Sequence, residues 1–315
     1  MNYNNSSVSS KKYQIRRTSK IEKINKYLIT KLLYKNAVLA VYKGFNTITN
    51  ELVIIKCETK DFNNEKCKGI VDHEKKILEQ IKEISGVPKI IEFQSEPFSN
   101  ALIINYLGKD LDSLINVKKQ FSIGLCAFIM TEAITILKNI HKCNIFHCDI
   151  KPSNFIFNNT ENKIYLIDFS VAQTKTSYNK SMIGTPKFCS YYCHECIPYS
   201  CRDDLISLGY VSIFFYYGYL PWQKNRLCGL NKNYNFNNIK EEKGNIMTFL
   251  KTNKAPEEFI IYFNYCFSLD EKDDIDYNMI HLLFTRLLKT VNYSEENLIL
   301  DTSVKSEDKP NLHAI

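Results

Sequence analysis

The segment that most constrains this chain runs from residue 147 to residue 170. His147-Cys148-Asp149-Ile150-Lys151-Pro152-Ser153-Asn154 is followed by a short apolar run at 164–167 and then by Asp168-Phe169-Ser170. The apolar run reads as a short buried strand. The chain must therefore bring a polar loop and a strand-end aspartate together. An aspartate, a lysine two residues on, an asparagine five residues on and a second aspartate form the set that phosphoryl transfer needs. One carboxylate orients or deprotonates an attacking hydroxyl, and the lysine neutralises charge on the transferring group. The asparagine and the second aspartate hold magnesium on ATP phosphates. An ordinary polar turn at a strand start would not require so many fixed positions.

Upstream, Val53-Ile54-Ile55-Lys56 ends an apolar strand on a lysine. Residues 71–84 read as a helix with Val71, Ile77, Leu78 and Ile81 on its apolar face, and Glu74 falls on that face too. A carboxylate on a buried face requires a cationic partner, and Lys56 is the candidate. Such a pair positions α- and β-phosphates. The plainer alternative is an edge glutamate reaching out to water.

Patterning places strands at 27–33, 38–44 and 52–57, with short apolar runs at 89–93 and 101–105. From residue 109 helices dominate: 121–141 behind Ser122 as N-cap, then 203–217, 257–267 and 277–288. Residues 231–238 are Asn-rich and read as a surface loop. A small β-rich part thus precedes a larger α-rich part, an α+β order.

Composition removes several classes. With 44% hydrophobic and 24% charged residues in 315, there is material for a sizeable core, which excludes a mostly disordered chain. Eleven cysteines behind a polar start, with no apolar leader at residues 1–10, read as reduced thiols of a cytoplasmic or nuclear chain that is not secreted. The net charge of +7 is mild, and Lys11, Lys12, Arg16, Arg17, Lys20 and Lys23 read as a solvated tail, so no DNA or RNA partner is expected. Residues 205–222 carry no charge but contain Ser207, Gly209, Ser212 and Pro221. They read as a buried core helix and its exit, not as a membrane span. Cys193-x-x-Cys196 has metal spacing.

These motifs resemble the eukaryotic protein kinases and, more closely, the casein kinase I family. Tyr106-Leu107-Gly108-Lys109-Asp110-Leu111 looks like that family's hinge. Gly184-Thr185-Pro186-Lys187-Phe188 looks like the end of its activation segment, which lacks Ala-Pro-Glu as this chain does. Ser200-Cys201-Arg202-Asp203-Asp204-Leu205, Leu220-Pro221-Trp222-Gln223, Pro256-Glu257-Glu258-Phe259 and Asp276-Tyr277 extend the likeness over residues 26–290.

The resemblance implies a two-lobed α+β fold: a flexible basic tail at 1–25, an N-lobe and hinge at 26–108, a C-lobe at 109–292 and a flexible tail at 293–315. It implies ATP and Mg2+ as cofactors, protein Ser/Thr as substrate, and a monomer without a membrane span. Asp149, Lys151, Lys56 and Glu74 would be catalytic, and Asn154 and Asp168 would be the magnesium ligands. Lys56, Tyr34, Asn36, Val41, Ile54, Ile104, Asn105, Tyr106, Leu107 and Ile156 would line the nucleotide site, with Ile104 as gatekeeper and Asn105 to Leu107 as hinge. Thr185 would contact the catalytic loop. Leu78, His147 and Phe169 would stack as a spine anchored near Asp204. The same layout keeps the cysteines of 189–201 from converging on a metal.

The chain departs from the family where glycine matters. It has only 10 glycines, and the three expected in the phosphate loop are Tyr34, Asn36 and Leu39. Glycine there permits positive φ and close approach of backbone N–H groups to phosphate. Ile54 replaces a small alanine, Cys148 replaces the catalytic-loop arginine, and Ser170 replaces the glycine after Phe169. The activation segment is shorter, and of the family's basic substrate patch only Lys187 is recognisable. Left-handed backbone forced on non-glycine residues costs about 1–2 kcal/mol each. The expectation is a kinase of reduced activity; the alternative is a catalytically impaired kinase fold serving as a scaffold.

Overall fold

The computed structural model describes residues 23–59, 69–97, 99–175, 182–226 and 236–303. Its N-terminal lobe is a six-stranded antiparallel sheet in the order β1-β2-β3-β4-β6-β5, made of β1 (Lys23–Ile24), β2 (Tyr27–Lys35), β3 (Leu39–Asn46), β4 (Leu52–Thr59), β5 (Ile90–Glu96) and β6 (Ser99–Asn105). Strand alternation divides β4 between two environments. Val53 and Ile55 join Tyr27 and Ile103 in one small core. Ile54, Lys56 and Glu58 face the other way, toward α1 (Ile70–Gln80), whose Val71, Ile77 and Leu78 belong to the main core.

Helix α1 ends four residues earlier than the apolar periodicity suggests, with Ile81 as C-cap. Its start is held from outside. Gly69 offers no side chain, and the Glu58 carboxylate instead accepts the N–H groups of Ile70 (2.8 Å) and Val71 (3.2 Å). Orphan amides of a first turn need such acceptors, and here β4 supplies them.

The C-terminal lobe is helical around two small sheets. β7 (Lys109–Asp110), β9 (Phe155–Asn158) and β10 (Lys163–Leu166) form one, and β8 (Ile145–Phe146) with β11 (Gln173–Thr174) the other. α2 (Leu111–Lys118), which the patterning did not reveal, starts at Asp110, whose carboxylate accepts the Ser113 N–H at 2.7 Å. α3 (Ile123–Lys142) has the expected N-cap: Ser122 Oγ accepts the Leu125 N–H at 3.1 Å. By length and composition α3 is apolar enough to cross a membrane, but most of it is buried in the lobe's core.

α4 (Tyr191–His194) is a single turn. α5 (Cys201–Tyr217) is buried from Arg202 through Phe215, so the uncharged run at 205–222 is core helix followed by a 3-10 turn at Pro221–Arg226. Gly218 closes α5 at φ 77°, where a Cβ would strike the Lys119 carbonyl, so glycine is required. α6 (Phe236–Gly244), α7 (Ile246–Thr252), α8 (Glu257–Ser268) and α9 (Tyr277–Thr290) complete the lobe.

Three expectations are corrected. The Asn-rich loop at 231–238 gives way to α6 from Phe236 on; residues 231–235 lie outside the described residues. The N-terminal tail stops earlier than residue 25, because Lys23 and Ile24 pair with Leu28 and Tyr27. The C-terminal tail does not begin at 293: Glu295–Thr302 forms α10, and Asp301 accepts the hydroxyls of Ser122 (2.5 Å) and Tyr293 (3.0 Å). A capping box of Ser294 and Asn297 starts this helix, and buried Leu298 holds it to the lobe.

Candidate active site

The β3–β4 and β4–β6 registers fix the inner wall of the cleft. Val41 lies opposite Lys56, Ile54 opposite Ile104, and Lys56 opposite Leu102. Lys56 Nζ donates to both Glu74 oxygens (2.7 and 2.8 Å) and to Asp168 Oδ1 (2.9 Å). Lys56 and Glu74 are buried. Burial opposes the ammonium, but Asp168 and Glu74 more than offset it and lift the Lys56 pKa. Burial pushes the Glu74 carboxyl up, with only partial relief from Lys56. Asp168 is also desolvated, yet Lys56, helped by the Ser170 hydroxyl, holds it well below the usual carboxylate range. The Phe169 N–H donates to Glu74 Oε1 at 3.1 Å, so helix, lysine and strand-end aspartate form one charged unit.

Phe169 is fully buried, and its ring meets His147 edge-on at 4.8 Å. Leu78 shares the same core cluster. The His147–Phe169 contact of the expected spine is present, and the base beneath His147 is electrostatic. Asp204 accepts the N–H groups of His147 (2.8 Å) and Cys148 (3.0 Å), the Tyr199 hydroxyl (2.6 Å) and His141 Nε2 (2.9 Å). Burial works against the His141 cation, but Asp204 raises its pKa to about 9.

Asp149 sits in a second network. Lys151 Nζ donates to its Oδ2 at 2.5 Å, and the Thr185 hydroxyl donates to its Oδ1 at 2.7 Å. Asn154 Nδ2 donates to the Asp149 carbonyl at 2.8 Å, which turns the amide oxygen of Asn154 away from Asp149. That oxygen and the Asp168 carboxylate are hard donors of the kind magnesium takes, so the set fits the metal chemistry implied by the motif. Gly184 (φ 89°) lets Thr185 approach: a Cβ there would lie 2.5 Å from the Cys148 carbonyl.

Ile104 is buried, Ile54 is half-buried, and Leu107 and Ile156 share a small cluster with Tyr165. In the hinge, the Tyr106 N–H donates to the Leu52 carbonyl at 3.3 Å and the Asn105 carboxamide accepts the Lys89 N–H at 2.7 Å.

The glycine substitutions behave differently from expectation. None of Tyr34, Asn36, Leu39 or Ser170 has positive φ, so no left-handed strain is stored at these positions. The β2–β3 hairpin turns instead on Asn36, whose Oδ1 accepts the N–H groups of Val38 (2.8 Å) and Leu39 (2.7 Å). Its Nδ2 meets the Tyr34 hydroxyl at 3.1 Å. The left-handed residues of the site are Cys148 and Asp168, both at φ 67°.

Lys187, read as part of a substrate patch, has its ammonium over the Phe214 ring at 3.9 Å, and its carbonyl accepts the Trp222 indole N–H at 2.9 Å. Cys193 is buried and Cys196 exposed; among the described residues no three His, Cys, Asp or Glu side chains are placed to hold a metal. Patterning missed Glu58 and Lys243. The spacing of Glu58 two residues after Lys56, hence on the same strand face, was the available signal for the first; Lys243, in a mixed-charge stretch, gave none.

A family model described as the protein kinase domain matches residues 27–283, which takes in β2 through the first half of α9. With the Lys56–Glu74–Asp168 unit, the Asp149 loop and the two-lobed architecture in place, this chain belongs to the protein kinase domain family.

Proposed function

We propose that the chain is an ATP- and magnesium-dependent protein serine/threonine kinase of the casein kinase I type, working below the rate of a glycine-loop kinase. The observation that carries this reading is the Lys56 ammonium held between Glu74 and Asp168 while Asp149 is bracketed by Lys151 and Thr185. Magnesium-ATP, when bound, supplies the transferable phosphoryl group, and Asn154 and Asp168 are the residues that would hold the metal. Lys56 would orient the α- and β-phosphates. Asp149 would accept the proton of a substrate hydroxyl at its carboxylate, and Lys151 would balance charge on the transferring group. Lys151 two residues after the aspartate and Thr185 against it support the Ser/Thr assignment. The hinge, the segment without Ala-Pro-Glu and the Leu220-Pro221-Trp222-Gln223 run support the casein kinase I assignment.

The test is transfer of labelled phosphate from magnesium-ATP to casein, wild type beside Asp149→Asn. Transfer should fall at least ~100-fold in the variant; equal transfer by the two proteins would end the enzyme reading. A second reading, a nucleotide-poor scaffold, is favoured by the hairpin amides already bonded to Asn36. Failure of magnesium-ATP to raise the melting temperature would select it.

A further inference from the structure

Lys243 of α6 is fully buried, and among the described residues no carboxylate pairs with it. Its ammonium donates to the carbonyls of Cys189 (2.5 Å) and Pro186 (2.8 Å), lies 3.0 Å from His194 Nε2 and 3.6 Å from Cys189 Sγ, and faces the Tyr210 and Trp222 rings. A buried cation demands a counter-charge. The group placed to supply it is the Cys189 sulfur, which also lies 3.5 Å from His194 Nε2. Cys193 lies four residues on, across the single turn α4, and its sulfur takes a bond from Ser190 Oγ at 3.4 Å.

We propose that Cys189 and Cys193 form a peroxide-reactive dithiol site in the segment that follows Thr185, with Cys189 as the attacking thiolate and Cys193 as the resolving thiol. Cys193, with His194 and Lys243, pulls the Cys189 thiol well below its ordinary range, whereas Cys193 is pushed up and stays protonated. Burial raises the thiols of Cys126, helped by the Asp301 charge, and of Cys266, against a hydrogen bond from Tyr262; both serve as internal controls. Thiolate character and access together decide cysteine reactivity toward peroxide. Cys189 and Cys193 are both buried, so the oxidation rate reports access as well as thiolate character.

The Cys189 sulfur attacks one oxygen of hydrogen peroxide and the O–O bond breaks. The departing hydroxide takes a proton from solvent to become water, leaving a sulfenic acid. The Cys193 sulfur then attacks the Cys189 sulfur and the S–O bond breaks. The thiol proton leaves with the hydroxyl as a second water, and a disulfide remains. The two thiols supply the two electrons that reduce the peroxide. The product removes the counter-charge of Lys243, so the bonds from Lys243 to the Pro186 and Cys189 carbonyls weaken. The segment carrying Thr185 then loosens from α6. This thiol chemistry does not depend on the kinase reading; only the effect on phosphate transfer does.

The test treats the full chain with hydrogen peroxide in a Cys196→Ser background, which removes the exposed neighbour. The expected result is an intact-mass loss of about 2 Da, mapped to a Cys189–Cys193 link and reversed by dithiothreitol, with a lower melting temperature in the oxidised form. Cys189→Ser should abolish the loss, and Cys193→Ser should leave a dimedone-reactive Cys189. In case a variant does not fold, the rate of Cys189 oxidation is also followed in the otherwise unmodified chain. Between pH 6 and 8 it should change less than about twofold, as a thiol already ionised at the lower pH does. Mass loss that persists in Cys189→Ser, or Cys189 oxidation no faster than that of Cys266, overturns the proposal. An unchanged melting temperature in the disulfide form overturns the loosening of the segment. Failure of casein phosphorylation in the reduced chain would count against the kinase reading and leave the thiol readouts intact.

Discussion

The side-chain oxygen of Asn36 accepts the backbone N–H of Leu39 at 2.7 Å, and that of Val38 at 2.8 Å. In a phosphate-binding loop these amides are the groups that meet the anion. Here a carboxamide satisfies them from within, and the hairpin closes without glycine and without positive φ. The departure from the glycine pattern therefore costs phosphate contacts, not backbone strain.

Replacing Asn36 by glycine should release both amides. Two recovered donors are worth about 1–3 kcal/mol before loop ordering is subtracted, so kcat/KM for ATP should rise by about tenfold. Nucleotide-dependent phosphate transfer and the magnesium-ATP thermal shift both check this. No gain in either would show that the hairpin is not what limits nucleotide handling.

Removing Lys56 should be far more damaging than removing any loop side chain. Lys56→Met leaves Glu74 buried without its cation. Transfer should drop by about 100-fold or more, and the melting temperature should fall, since an orphaned buried charge costs roughly 3–5 kcal/mol. Glu74→Gln should cost less, and the double variant should fall short of the product of the two.

Glu58 offers a test of positioning at a distance from the nucleotide. Its carboxylate caps the first turn of α1 through Ile70 and Val71. Glu58→Ala should cost about 1–2 kcal/mol, as loss of a helix cap does, or roughly 1.5–3 °C in melting temperature at this chain length. Because α1 carries Glu74, transfer should fall as well. Glu58→Gln, which keeps an acceptor, should recover part of both.

The His141–Asp204 pair sets a pH window. The His141 pKa is raised to about 9 from an ordinary 6.5. A raised folded-state pKa means the stabilisation is fully present below about pH 6.5 and is lost as pH climbs through about 9. The contribution is at most about 3 kcal/mol. Melting temperature measured from pH 6 to 9.5 should decline across that interval, and His141→Gln should start lower and decline less. A flat profile in the wild type would contradict the charged pair.

By itself the sequence determined the chemistry and most of the scaffold. The Asp149–Lys151–Asn154 spacing, the strand ending in Asp168 and the helical periodicity that put Glu74 on a buried face are local patterns, because loop spacing, period 2 and period 3.6 are set by neighbours in the chain. Glu74 could be matched to Lys56 because a buried carboxylate requires a cation. Only the tertiary structure decided what depends on groups distant in sequence. Glu58 became a helix cap because β4 and α1 meet. Residues 295–302 became an ordered helix because Asp301 reaches Ser122, 179 positions away. Lys243 found its partners in Pro186, Cys189 and His194, at least 49 positions away. Composition alone reads such a lysine as a solvated charge; burial against a thiol turns it into the centre of a site, because the energy of a charge is fixed by its surroundings and not by its neighbours along the chain.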